Sequence, residues 1–205
     1  VNRFPCLVIF PQCPNDVWWS DGAVVEQAAV ALEQTVAEFR GDPARRVLTG
    51  LSMGGYGIWS LAAPRPGPFA ALAPICGGIR RPPGYPPPLG SPPEDPNVDP
   101  YAECARKLGK VPVWVFHGDA DNAVPVEESR QMVQAIKSAG GDVRYTEYKG
   151  AGHNSWDQTY GNPEVIARKE QRGVRRHRLL LRFLPAQEVG NSLPEIKGQI
   201  NPPVL

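Results

Sequence analysis

Five short apolar runs alternate with longer stretches of helical periodicity, and this rhythm constrains the fold more than any other feature of the chain. The runs are Cys6 to Phe10, Arg46 to Gly50, Phe69 to Cys76, Val111 to Phe116 and Val143 to Tyr148. Parallel strands cannot be joined by a tight turn and need a crossover of about a dozen residues or more, usually a helix. Three segments between the runs qualify. Asp21 reads as the cap of a helix through Arg40, with Val25, Ala28, Ala29, Leu32, Val36 and Phe39 on one face. Met53 to Ala63 and Val126 to Ala139 read as the other two. The expected class is therefore α/β with a mostly parallel sheet.

Two segments break the rhythm. Arg80 to Pro100 carries Pro-Pro steps at 82, 86, 87 and 92. Proline lacks the N–H that a ladder needs, so this stretch is expected to be an extended insertion or flap. Arg168 to Arg182 holds seven basic residues against one acid, Glu170. It reads as a solvated terminal helix leading into weakly ordered chain rather than as a nucleic-acid surface. The organisation expected is a core over residues 1–165 with an insertion at 80–100, followed by a basic tail over 166–205.

The joint between the second run and its helix is Gly50-Leu51-Ser52-Met53-Gly54. A Gly-x-Ser-x-Gly string is weak by itself, but here it lies where a strand gives way to a helix, the setting that projects a serine from the sheet's edge. Side chains at the flanking glycines would clash as the backbone folds back. Ser52 would stand at a helix N-terminus, where unbonded N–H groups favour developing negative charge, which makes Met53 N–H the first oxyanion donor candidate.

A serine hydroxyl needs a base, and the base an orienting carboxylate. The chain has three histidines, His117, His153 and His177. In strand-turn-helix hydrolases the chain order is Ser, acid, His. His153 satisfies it, with Asp119 and Asp121 both available before it in "HGDADNAVP". His117 fails the order and reads as a histidine packed beneath the acid loop. Strand ends at Ser52, at the acid loop and at His153 would share the carboxyl edge of a parallel sheet.

Composition narrows the alternatives. The net charge of +1 gives no global signal for nucleic acid or an anionic membrane. The apolar runs fall far short of the roughly 20 residues that span a bilayer. Cys6, Cys13, Cys76 and Cys104 form no C-x-x-C pair; they read as buried thiols, with a Cys6–Cys13 disulfide as the alternative in an oxidising compartment. H-E-x-x-H is absent, so no metal or organic cofactor is expected.

With those residues assembled, the chain resembles the α/β-hydrolase superfamily. Within it, the likeness is to the bacterial carboxylesterase/phospholipase-type and "predicted peptidase" group, related to dienelactone hydrolases and polyhydroxyalkanoate depolymerase-like esterases. The matching stretches are "FPQCPNDVWW", "VLTGLSMGGYGIW", "PICGG", "VPVWVFHGDADNAVPVEESRQMV" and "YTEYKGAGHNSW", spread over residues 5 to 165. The resemblance implies a three-layer sandwich and assigns the acid to Asp121. It implies hydrolysis of a small-molecule carboxylic ester through an acyl-enzyme. Peptide or amide cleavage on the same triad is the alternative, and a non-catalytic fragment is another.

In that superfamily a loop ahead of the strand matching "CLVIFPQ" supplies the second oxyanion donor. The resemblance thus implies a sheet lacking its first strands, with Gln12 as a substitute donor. Cys6 to Phe10 is then expected either to pair directly with Arg46 to Gly50 or to leave a gap beside it. Trp18, Trp19, Trp156 and Tyr56 are the candidate walls of a substrate pocket.

Overall fold

The computed structural model describes residues 6–81, 95–167 and 178–183. Strand β1 (Cys6–Ile9) leads to helix α1 (Gly22–Glu38), β2 (Arg46–Leu51), α2 (Met53–Ala62) and β3 (Ala71–Ile75). Beyond the insertion come α3 (Pro100–Leu108), β4 (Val113–Gly118), α4 (Glu127–Ser138) and β5 (Val143–Tyr148). Two short helices, α5 (Trp156–Gly161) and α6 (Pro163–Ala167), precede a last strand, β6 (Arg178–Phe183). The described strands form one sheet, in the order β1-β6-β2-β3-β4-β5, and every recorded pairing is parallel.

Alternation along the central strands builds the layers. In β4, Val113 and Val115 point into a large cluster with Leu48, Leu72 and residues of α1 to α4. Trp114 and Phe116 point the other way, with Leu51 and Ile75, toward Trp156, Tyr160 and Val165 of α5 and α6. Side chains two apart share a face, so one run of apolar residues serves two cores. At the start of β2, the buried Arg46 donates to both carboxylate oxygens of Glu33 on α1, at 2.6 and 2.8 Å, and so fastens the helix to the sheet.

Helix α3 was not among the expected elements. Its signals were present: Asp99 accepts from Tyr101 N–H at 3.0 Å, Pro100 occupies the first turn, and Tyr101, Cys104, Ala105 and Leu108 are buried at helical spacing. The proline-rich stretch before it masked them. Residues 82–94 of the expected insertion lie outside the described residues. In α1, Val25, Ala28 and Leu32 are buried as expected, whereas Phe39 caps the C-terminal end and is 53 % exposed. Cys13, Cys76 and Cys104 are buried thiols, and Cys13 Sγ–H donates to Val17 O rather than joining a disulfide.

Strand β6 requires a correction. Cys6 to Phe10 neither pairs with Arg46 to Gly50 nor faces a gap, because β6 lies between β1 and β2, parallel to both. Leu179 stands opposite Leu7 and Arg46, and Leu180 opposite Val8 and Val47. The expectation of a solvated helix through Arg182 is corrected at the same place. Leu179-Leu180-Leu181 is a continuous apolar run between Arg178 and Arg182, the pattern of a strand enclosed on both sides. The rest of the tail lies outside the described residues. No helix among the described residues is long and apolar enough to cross a membrane.

Candidate active site

The turn from β2 into α2 is strained at one residue. Ser52 has φ 51° and ψ −120°, a conformation that side chains rarely adopt and that the surrounding structure must impose. Two glycines permit it. A Cβ at Gly50 would lie 2.5 Å from Gly54 O, and one at Gly55 would lie 2.7 Å from Gly77 Cα at the end of β3. Ser52 N–H donates to Ile75 O at 2.9 Å, and Ser52 O accepts from Gly55 N–H at 2.8 Å, which locks the turn from both sides. Met53 opens α2, so its N–H has no acceptor within the helix.

Ser52 Oγ lies 2.9 Å from His153 Nε2, and His153 Nδ1 lies 2.7 Å from Asp121 Oδ2. These three residues come from loops at the carboxyl ends of β2, β4 and β5, separated by 101 and 32 positions in the chain. The partners fix the tautomer. A carboxylate only accepts, so Nδ1 carries the proton and donates to Asp121, which leaves the Nε2 lone pair for the Ser52 hydroxyl. The ring of Trp156, at the start of α5, stands edge-on to His153 with centroids 5.5 Å apart.

The Asp121 carboxyl is fully buried. Burial by itself pushes its pKa up. Hydrogen bonds from His117, His153 and the backbone N–H groups of Val124 and Ala123 outweigh burial and hold the group well below the usual carboxylate range. Asp119 has a different task, since its Oδ1 accepts from Gly150 N–H at 2.6 Å and so braces the turn that presents His153.

The other expected site residues do not share one environment. Trp19 is 1 % exposed in the main core, so packing replaces its reading as a pocket wall. Tyr56 is buried, edge-on to Trp18 at 5.5 Å, and lines a cavity of about 230 Å³ with Trp59, Gly78 and Cys104. Gln12 is exposed and lies beyond the end of β1. His177 lies outside the described residues.

Two residues at the site were not singled out from the sequence. Cys76, at φ 40°, is fully buried beside Asp121 and His153. Its sulfur, a carboxylate oxygen of Asp121 and a ring nitrogen of His153 lie within 4.8 Å of one another, so the thiol stands beside the hydrogen-bonded pair. Glu128 on α4 accepts from Ile79 N–H, Arg80 N–H and Tyr101 O–H, and so ties the loop after β3 to α3 and α4. The paired acids Glu127-Glu128 after Val-Pro-Val were the available signal for such an anchor.

The prolyl oligopeptidase family matches residues 88–187. Acyl-protein thioesterase 1 of Gibberella zeae is 33 % identical over 61 residues, 30 % of this chain and 26 % of that protein. Among solved structures, a thermostable esterase superimposes with a TM-score of 0.62 at 32 % identity, covering 75 % of this chain and 40 % of that one. An acylaminoacyl peptidase of Pyrococcus horikoshii gives 0.52 at 20 % identity, covering 71 % of this chain and 26 % of that one, a likeness of fold alone. The chain thus spans two fifths or less of the length of each of these three proteins.

Proposed function

We propose, for a chain that belongs to the esterase-type group of the α/β-hydrolase superfamily, that it hydrolyses small carboxylic esters through an acyl-enzyme on Ser52. The Ser52 Oγ attacks the ester carbonyl while His153 Nε2 takes its proton. Asp121 holds the Nδ1–H tautomer and stabilises the imidazolium. The tetrahedral oxyanion is received by Met53 N–H at the start of α2, where the helix dipole adds to the hydrogen bond. His153 then returns the proton to the departing alkoxide, which leaves as the alcohol. Water, deprotonated by the same nitrogen, cleaves the acyl-serine and releases the acid.

The single observation that carries this reading is the continuous hydrogen-bond chain from Ser52 Oγ through His153 to Asp121 Oδ2, at 2.9 and 2.7 Å. The test is fluorophosphonate labelling of the chain beside a Ser52→Ala control, with turnover of p-nitrophenyl acetate, butyrate and octanoate. Labelling and turnover confined to the Ser52 form are expected. Equal labelling of both removes Ser52 from the mechanism, and a folded chain that neither labels nor turns over is the non-catalytic reading.

The match of residues 88–187 to the prolyl oligopeptidase family favours a second reading, amide cleavage on the same residues. A peptide p-nitroanilide run beside the esters separates the two, because the pocket rather than the serine turn sets the leaving group.

A further inference from the structure

His117 does not take part in the proton path described above, yet it is fully buried and every ring nitrogen is engaged. Its Nδ1 lies 2.7 Å from Ser129 Oγ on α4. Its Nε2 lies 3.1 Å from Asp121 Oδ2 and 3.0 Å from Val124 O. Both partners of Nε2 are acceptors, so Nε2 carries a proton in either charge state of the ring. In the neutral ring Nδ1 is then the acceptor, and Ser129 O–H donates to it. The acid loop therefore winds around one imidazole, which is fixed at its base by β4 and at its far side by α4.

The acceptor count at Asp121 gives this arrangement its meaning. Oδ1 accepts from Ala123 N–H at 2.8 Å and Val124 N–H at 2.9 Å. Oδ2 accepts from two imidazoles, His153 Nδ1–H and His117 Nε2–H. A carboxylate has about four lone-pair sites, and here all are filled. We propose that His117 is a positioning residue that acts through Asp121: its Nε2–H fixes the rotation of the carboxylate and moderates the negative charge that Oδ2 presents to His153.

This rests on the reading of Asp121 as the acid partner of His153. A second donor on Oδ2 draws charge from the oxygen that faces His153, so the imidazolium is stabilised less than by a singly bonded carboxylate. Removing that donor raises the basicity of His153 and frees the carboxylate to turn. The other titratable groups around the pair are Cys76 at the end of β3, Tyr56 on α2 and Glu147 on β5. Tyr56 is pushed well above the ordinary phenol range, first by burial and then by the charges of Glu128 and Asp121. Glu147 is held down at about 2, first by its hydrogen bond from Arg130. Neither changes charge between pH 5 and 8.

The experiment compares the full chain with His117→Met, which fills the site without a donor, and His117→Gln, whose amide restores one near the Nε2 position. Thermal stability, pH profiles of ester hydrolysis and ring-nitrogen NMR of histidine-labelled protein are measured on all three. In His117→Met, kcat is expected to fall about tenfold with KM within about twofold, and the acid limb of kcat/KM to move up by about half a pH unit. The downfield Nδ1–H resonance of His153 is expected to move with it, and His117→Gln to recover most of each effect. The proposal is overturned if both variants lose activity only in step with stability, while the pH limb and the His153 resonance stay in place. Should the wild-type chain neither label with fluorophosphonate nor cleave esters, the functional reading fails separately. The resonances then decide: an Nε2-protonated His117 whose removal shifts the His153 signal upholds the proposal, and an unmoved signal ends it.

Discussion

Between β2 and β5 each new strand lies beside the one before it in the chain, whereas β1 is joined to them only through β6, the last strand in sequence. The first region is made of local crossovers, and its central strand β4 is buried along its whole length. The second joins residues about 170 positions apart, and its outer strand carries an exposed apolar group, Val8 at 36 %, followed just past the strand by Phe10 at 44 %. All three members of the Ser52-His153-Asp121 chain come from the first region. The difference separates two tasks: the local region orders the chemical groups, and the distant strand closes the sheet beside them.

That division can be tested from its strongest consequence downward. Ser52→Ala is expected to reduce ester turnover about a millionfold, a magnitude typical of losing the nucleophile, while the melting temperature stays close to that of the unaltered chain because alanine keeps the Cβ at φ 51°. Asp121→Asn keeps the shape but donates where His153 needs an acceptor, and a loss of about ten-thousandfold in kcat is expected. If either variant retained wild-type rates, the chemistry would not belong to the β2–β5 region.

Leu180→Pro probes the other side. Leu180 stands between Val8 and Val47, so a proline there removes a ladder donor from a strand paired on both flanks. A loss of about 1–3 kcal/mol, the cost of leaving a buried ladder acceptor unpaired, is expected in thermal or urea unfolding. An unchanged transition would break the placement of β6. Acid unfolding gives a smaller effect. Because the native Asp121 pKa lies below its unfolded value of about 3.9, its contribution is complete above that pH. It is lost as pH falls toward the native value. Asp121→Asn should therefore flatten the acid limb of stability between pH 5 and 2. The smallest expected change is Phe39→Ser, at the exposed end of α1, which should shift stability by no more than about 0.5 kcal/mol.

Legibility followed the same divide. The β5 run, Val143 to Tyr148, matches the observed strand in both bounds, and Met53 to Ala63 overruns α2 by one residue. Short crossovers leave a sequence little choice about which strand neighbours which. The serine turn was legible because Gly50 and Gly55 sit where any Cβ would strike backbone. The doubled donor on Asp121 Oδ2 was not, although His-Gly-x-x-Asp held both residues, because spacing alone does not reveal that the loop wraps the ring. Strand β6 was missed for two reasons. Its basic neighbours suggested solvent, and a run of three leucines cannot be told from helix by periodicity.

From the amino-acid order alone came the α/β class, the serine turn, and the order of Ser52, the two acids of "HGDADNAVP" and His153 along the chain. Each is a local property: an apolar period, a glycine where only hydrogen fits, or a strand end followed by a helix start. Spacing left Asp119 and Asp121 both open and only the resemblance implied Asp121; in the fold Asp121 Oδ2 meets His153 Nδ1 while Asp119 turns to Gly150 N–H. Tertiary structure alone decided that Arg178 to Phe183 enters the sheet between β1 and β2. A parallel strand chooses its partners by the backbone groups and apolar faces left unpaired elsewhere, and that information is held by the assembled sheet rather than by the strand itself.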